Sequence, residues 1–357
     1  MAAGDVLNTR ALNRATLYRQ RLLQRGGDVV DTIELLVGMQ AQNPHDPYYG
    51  LWARLEDFDP GDLSRLLVER GVVRGPLMRA TIHMVTARDY ISMRPDLQSV
   101  LQRVFASTSF AKDVRGIEPD RLLNAAGELL TSAHLTRAEL AEALGKLFPW
   151  VPAASMAQAS TYLLAVVQVP PRALWGESGF PRWALAEQWL ETELTHREAP
   201  DRLVLRYLGA FGPASVADMR TWSGLSGLRE VVNRLRPRLR SWRDQKGREL
   251  LDLPDAIYPE PDTPAPPRFL PEYDNVLLAH SDRSRFMNDL APEGWVGNLL
   301  VDGFYAGSWR IDRGGALRVM VRVAPTKAQL NELETEARRL AVSTGANEIE
   351  IQVGSVD

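Results

Sequence analysis

A chain of 357 residues, 45% hydrophobic and 24% charged, has the composition of a globular protein long enough for two or three domains. It holds no cysteine, which excludes disulfides, thiolate nucleophiles and thiolate metal sites, and no apolar run reaches membrane-spanning length. The net charge of −3 gives no sign of a polyanion partner by itself, and the opening residues lack the layout of a signal peptide, so a cytoplasmic location is expected.

Thr9 to Gln24 has the spacing of an amphipathic helix ended by Gly26-Gly27. Leu12, Leu17, Leu22 and Leu23 form its buried stripe, with Arg10, Arg14, Arg19, Arg21 and Arg25 largely outside it. Asp31 or Thr32 caps a second helix, whose apolar positions Ile33, Leu35, Leu36 and Val37 lead into Gly38-Met39-Gln40-Ala41-Gln42-Asn43-Pro44. This stretch reads as the last helical turn, stopped by Pro44, which biases Asn43 out of the α region. Two helical steps rotate by about 200°, so Gln40 and Gln42 point to opposite sides unless Gln42 leaves helical geometry. If it does, both amides face one cavity; otherwise they cap and solvate a helix end.

Pro47 to Leu55 and Pro60 to Glu69 are short helices. Val72 to Val85 then reads as two strands turning at Gly75-Pro76, and helices followed by a small hairpin outline a winged helix. On an alternating strand Arg79, Thr81 and His83 share a face. That places Arg79 near a phosphate backbone, while His83 reads as structural.

The outline recurs, as pattern and not as residue identity. Pro119 to Leu130, Thr136 to Leu147 and Ala153 to Gln168 are helical, with Thr136 and Glu139 forming a capping box, and strand-like pieces follow at Arg172 to Trp175 and Arg182 to Leu185. Asp201 to Phe211, Ser215 to Ser223 and Gly227 to Arg236 are helical in turn. Leu239 to Arg243 and Glu249 to Leu253 then make a hairpin turning at Lys246-Gly247. Residues 254 to 271 carry seven prolines and read as an extended connector. Strands at Val296 to Val301, Phe304 to Ile311 and Ala316 to Val323 turn at Asp302-Gly303 and at Asp312 to Gly315. A helix from Thr326 to Val342 and a strand from Glu348 to Val353 close the chain. The expected fold is mainly α with small β-hairpins (α+β): winged helices over residues 5–115, 116–198 and 199–258, then a connector and a β-rich module over 259–357.

Positive charge is nearly all arginine, and it clusters. Between Arg229 and Arg248 stand Arg234, Arg236, Arg238, Arg240, Arg243 and Lys246 against only Glu230 and Asp244. Such a stripe suits a phosphate backbone, though a solvated helix face has the same look. The hairpin around Asp312 to Gly315 carries Trp309, Arg310, Arg313 and Arg318, and reads either as a wing that enters a groove, if the family likeness set out below holds, or as an exposed turn. His45, His83, His134, His196 and His280 lie far apart without metal-ligand spacing, and no nucleotide-binding loop or nucleophile elbow is present. No metal and no cofactor is therefore expected. Trp52, Trp222 and Trp295 read as core, and Glu272 and Asp274 as makers of local backbone bonds before any catalytic role.

A glutamine amide does not titrate, so it is no general base. Two such amides can hold a water in line with a reacting carbon through hydrogen bonds. That suffices only where the leaving group is already good. A guanine alkylated at N7 is cationic and leaves the sugar without a general acid, so the strength of the residues matches the chemistry.

The segment Gly38 to Pro44, with Gly50-Leu51-Trp52-Ala53-Arg54 after it, resembles the AlkZ/YcaQ-type tandem winged-helix DNA glycosylases, on the AlkZ side. Arg79 to His83, Leu270 to Asn275 and Asp302-Gly303-Phe304 carry the same resemblance, which runs over nearly the whole chain. In that family a glutamine–aliphatic–glutamine motif is catalytic, which lands on Gln40 and Gln42; relatives with aspartate or histidine in the motif differ in substrate range. The resemblance implies three winged helices curved into a C-shaped basic channel, a β-hairpin probing the duplex, and hydrolysis of N7-alkylguanine glycosidic bonds, interstrand crosslinks included. It also suggests self-resistance to a DNA-alkylating natural product. Duplex DNA bearing alkylated guanine is the expected partner, with no membrane, and the chain is expected to act as a monomer whose binding weakens steeply with salt. A crosslinked nucleotide cannot rotate into a closed pocket, so the lesion is expected to stay largely in the duplex. A non-enzymatic winged-helix regulator, or a peptide- or ligand-binding module, is the competing assignment.

Overall fold

The computed structural model describes residues 6–195, 200–287, 290 and 297–354; His196, Trp295 and Val296 lie outside these. Three winged-helix units follow one another, each with the same order of parts. In the second unit, helix Pro119–Ser132 is followed by strand Leu135–Thr136, helices Arg137–Leu147 and Ala153–Leu163, and strands Val166–Val169 and Arg182–Leu185. Leu135–Thr136 pairs with the last of these strands, and the Thr136/Glu139 capping box expected from sequence is formed. The third unit runs Asp201–Phe211, Val216–Ser223, Leu228–Leu235 and the hairpin Arg240–Asp244/Glu249–Asp252, with Ala214 bridging to Leu251 where the second unit has its short strand.

The first unit has helix Val29–Leu35, strand Met39–Gln40, helices Asp46–Trp52 and Pro60–Val68, and strands Val72–Pro76 and Ile82–Thr86. Its short strand pairs antiparallel with the last one, Met39 opposite Met84 and Gln40 opposite His83. Gln40 thus sits in the first strand of a winged helix, not on a helical turn. The helix ends at Leu36, and Val37 and Gly38, both at positive φ, turn the chain into extended geometry.

Several other expectations change for one reason: pairing across the chain overrides local pattern. The turn of the first hairpin is not Gly75-Pro76, which lie inside a buried strand; it is Leu77 to Thr81, closed by the Leu77 N–H on the Thr81 carbonyl at 3.0 Å. Arg79 and Ala80 sit there at φ of 54° and 59°, so Arg79 is not on an alternating strand. The helix from Ala153 stops at Leu163, and Val166–Val169 is the strand expected at Arg172 to Trp175. Arg74 pairs with Gln168, joining the hairpins of the first two units into one six-stranded sheet whose edge strand is Met39–Gln40.

The N-terminal strand Val6–Leu7 pairs parallel with Arg243–Asp244, and helix Thr9–Arg19 packs between the third unit and the C-terminal module. Arg14 and Arg19, expected outside the buried stripe, are buried. Arg19 makes two bonds to Asp252 (2.8 and 2.7 Å), and Arg14 pairs with Asp302. The proline-rich connector is extended but not unpacked. Its Pro261 and Thr263 carbonyls accept from Arg10 and Arg14, and it ends in the buried strand Arg268–Pro271. That strand opens a five-stranded sheet continued by Gly297–Val301, Phe304–Ile311, Ala316–Val321 and Glu348–Val353, with helix Lys327–Thr344 packed against it. Among the described residues, no helix is long and apolar enough to cross a membrane.

Candidate active site

Because the backbone is extended from Met39 to Ala41, whose N–H bonds the Ile82 carbonyl at 2.8 Å, positions 40 and 42 fall on one side of the strand. The two amides come together through a period of two, where a helical turn had to be broken to achieve it. Gln40 is 8% exposed, while Gln42 is exposed. Both are held by the turn opposite. Arg79 donates to Gln40 Oε1 at 2.5 Å and to the Trp222 carbonyl of the third unit at 2.6 Å, and the Ile82 N–H donates to Gln42 Oε1 at 3.2 Å. These partners can only donate, which fixes both amide oxygens toward the turn. Each oxygen keeps a second lone pair, and neither NH₂ group makes a bond within the described residues.

Arg79 was expected on phosphate and is instead the clamp of Gln40. Burial, with Arg283 nearby, lowers its guanidinium to about 10, so it stays charged at neutral pH. Arg74, unremarked in the sequence, lies beneath the motif. It is 2% exposed, and it donates to the Ala41 carbonyl and to Gln168 Oε1, both at 2.6 Å. Burial lowers it to about 9. His83 is fully buried with Nδ1 3.0 Å from the Thr81 carbonyl. Burial and the Arg79 charge push it down to about 3, so it is neutral and structural, as its sequence context suggested.

Behind Gln40 lies a cavity of about 10 Å³, the room one water molecule needs, lined also by Gly38, Asp46, Arg54, Tyr273 and Asp274. Asp274 makes the local backbone bond expected of it, from the Val276 N–H at 3.0 Å, and also takes two bonds of 2.8 Å from the distant Arg54, which local sequence did not foretell. Asn275 donates to the Gly38 carbonyl at 3.0 Å, which ties the connector to the start of the glutamine strand. Gly38 has φ of +92°, and a Cβ there would lie 2.4 Å from Val85 Cγ1. Gly38→Ala is therefore expected to lower stability by about 1–3 kcal/mol in thermal unfolding, because the strand carrying Gln40 must shift.

Trp309 is not a DNA contact. It is 2% exposed, stacks edge-on against Tyr49 at 5.1 Å and donates to the Leu270 carbonyl at 2.9 Å, holding the connector under the site. Alternation explains this: residues 308 and 310 face outward, so 309 faces the core. Arg310 lies on the outer face, Arg313 is exposed at the hairpin tip, and Arg318 is paired with Asp312 and Glu350. In the third unit Arg234 pairs with Asp201 and Arg236 with Glu249, while Arg243 donates to the Gly247 carbonyl. Arg240 stacks on Trp242 at 3.9 Å, and Arg238 is exposed. Exposed ion pairs of this kind are weak and exchange readily for phosphate.

Three winged helices and a polar pair on an edge strand define a tandem winged-helix protein. The family profile described as "DNA glycosylase AlkZ-like" matches residues 33–342, so the chain belongs to the AlkZ-like DNA glycosylase family and is an enzyme that acts on DNA. Its fold is similar to that of the Streptomyces sahachiroi DNA glycosylase AlkZ, at 19% identity and a TM-score of 0.75, over 98% of this chain and 100% of that one. No curated protein sequence matches it.

Proposed function

We propose that the chain is a monofunctional glycosylase that hydrolyses the N-glycosidic bond of cationic N7-alkylguanine in duplex DNA, crosslinked guanines included. Gln40 and Gln42 position the attacking water at the anomeric carbon. The C1′–N9 bond breaks with its electron pair going to the purine, which neutralises it, and water adds to the sugar. Amides on one side of a strand, with lone pairs and N–H groups still available, suit this task. Arginines of the third unit and of the C-terminal hairpin grip the backbone.

The observation that carries this reading is the size of the space at Gln40. A cavity of about 10 Å³ holds a water and not a purine, whereas pockets that enclose small ligands start at about 300 Å³. The pair therefore suits a sugar approached from outside, with the base left in the stack, which is what a crosslinked guanine demands. Incubation with a duplex carrying 7-methylguanine tests this: alkali-labile sites at the methylated positions are expected, and their absence under excess enzyme would overturn it.

A further inference from the structure

Asp46 begins helix Asp46–Trp52 and is 1% exposed, yet neither of its carboxyl oxygens meets a donor in full hydrogen-bond geometry, the Tyr273 backbone N–H offering only a marginal contact. A buried carboxyl kept for structure is normally satisfied; this one faces the cavity it shares with Gln40. Burial raises it to about 8, the charges of Glu272 and Asp274 push the same way, and the Tyr273 backbone amide opposes them. The remaining groups packed here are Tyr49 and Tyr273, both themselves raised, and Arg54, which is committed to Asp274 and the Gly50 carbonyl. In the free protein at neutral pH the Asp46 carboxyl is mostly protonated.

Hydrolysis of a cationic lesion must dispose of one proton. The purine leaves neutral and water becomes a hydroxyl on the sugar, yet no amide accepts the remaining proton at neutral pH. Gln40 Oε1 is turned to Arg79, and its Nε2 makes no bond within the described residues. We propose that Asp46 is a positioning residue that gives up its proton when a cationic lesion docks against Gln40, and that its carboxylate then draws on the Gln40 amide through the single water of the cavity. The amide oxygen becomes more negative and its second lone pair better stabilises the cationic sugar. The attacking water loses its proton to solvent as it becomes the sugar hydroxyl. Once the positive charge is gone the carboxyl takes a proton back from solvent, so one proton is released over the whole turnover. This rests on the role proposed above for Gln40.

The test compares the full-length wild type with Asp46→Asn on duplexes with and without 7-methylguanine. Read in the binding phase, before the base is released, a pH indicator should report up to one proton per wild-type molecule on mixing with the methylated duplex, none with the undamaged duplex, and none from D46N. Wild-type kcat/KM should rise with pH toward about 8, approaching tenfold per unit, while D46N stays flat at the wild-type value of low pH. Full retention of the pH rise by D46N, or equal proton release by both proteins, would overturn the proposal. If neither protein removes the base, the role of Gln40 fails, and the proton count on binding still decides whether Asp46 responds to a cation.

A stability readout separates this from a packing role. A carboxyl raised from 3.8 to about 8 contributes stability in full below pH 3.8 and loses it as pH climbs to about 8. D46N should therefore melt near the wild type at about pH 4 and above it at about pH 8. Should D46N fail to fold, the infrared band of the protonated carboxyl in the wild type, lost on adding methylated duplex, carries the same test; a band unchanged by the duplex contradicts it.

Discussion

Replacing Gln40 and Gln42 together with alanine is expected to reduce single-turnover release of 7-methylguanine by about 10³-fold or more, while duplex affinity changes little. The reason lies in the geometry. Both side chains are anchored by their oxygens to a turn that stays intact without them, through the Leu77–Thr81 and Ala41–Ile82 backbone bonds. On the proposed mechanism the variant loses the groups that would position water at the sugar and keeps the arginines proposed to grip phosphates. Each single variant should retain part of the rate, with Gln42→Ala the milder for stability because Gln42 is exposed. Unchanged release by the double variant, with binding confirmed, would remove the glutamines from the chemistry.

The second large effect concerns the floor of the site. Arg54 and Asp274 are 1% and 4% exposed and meet through two bonds of 2.8 Å. Arg54→Ala leaves a buried carboxylate without its cation, and a loss of about 3–5 kcal/mol in denaturant unfolding is expected. The paired change Arg54→Met with Asp274→Asn removes both charges and keeps an acceptor for the Val276 N–H, so it should recover much of that loss. A small effect of Arg54→Ala, below about 1 kcal/mol, would mean that the pair is solvated and does not define the cavity.

How far the sequence discloses this protein depends on where each interaction partner lies. The parts that were legible have local signals: the Thr136/Glu139 capping box and the helix over Ser215 to Ser223 in the winged helices, and the Asp302-Gly303 turn in the C-terminal module, whose residues do take positive φ. The glutamine strand was not legible as a strand. It is two residues long and exists only because Ile82 to Thr86 lies beside it, more than forty positions away. The two residues were singled out as a pair, but the helical frame made a shared side look like an exception when extended backbone makes it automatic.

The buried arginines show the same limit. Arg14 and Arg19 read as solvent-facing because Asp302 and Asp252, which neutralise them, are more than 230 positions distant. Trp309, offered with the hairpin, is placed in the core only once its strand has a register, and Asp46, which the sequence did not single out, joins the cavity only where residues 271–274 fold over it. Arg79, set at positive φ in a turn, could not be assigned to Gln40 from strand alternation at all.

The proposed catalyst is weak: uncharged amides would be enough only because alkylation makes the purine a leaving group. The most direct measurement is the ratio of single-turnover release rates for 7-methylguanine and for an uncharged purine such as hypoxanthine in the same duplex context. Fast loss of the cationic base with no detectable loss of the neutral one is predicted; comparable rates for both would contradict it.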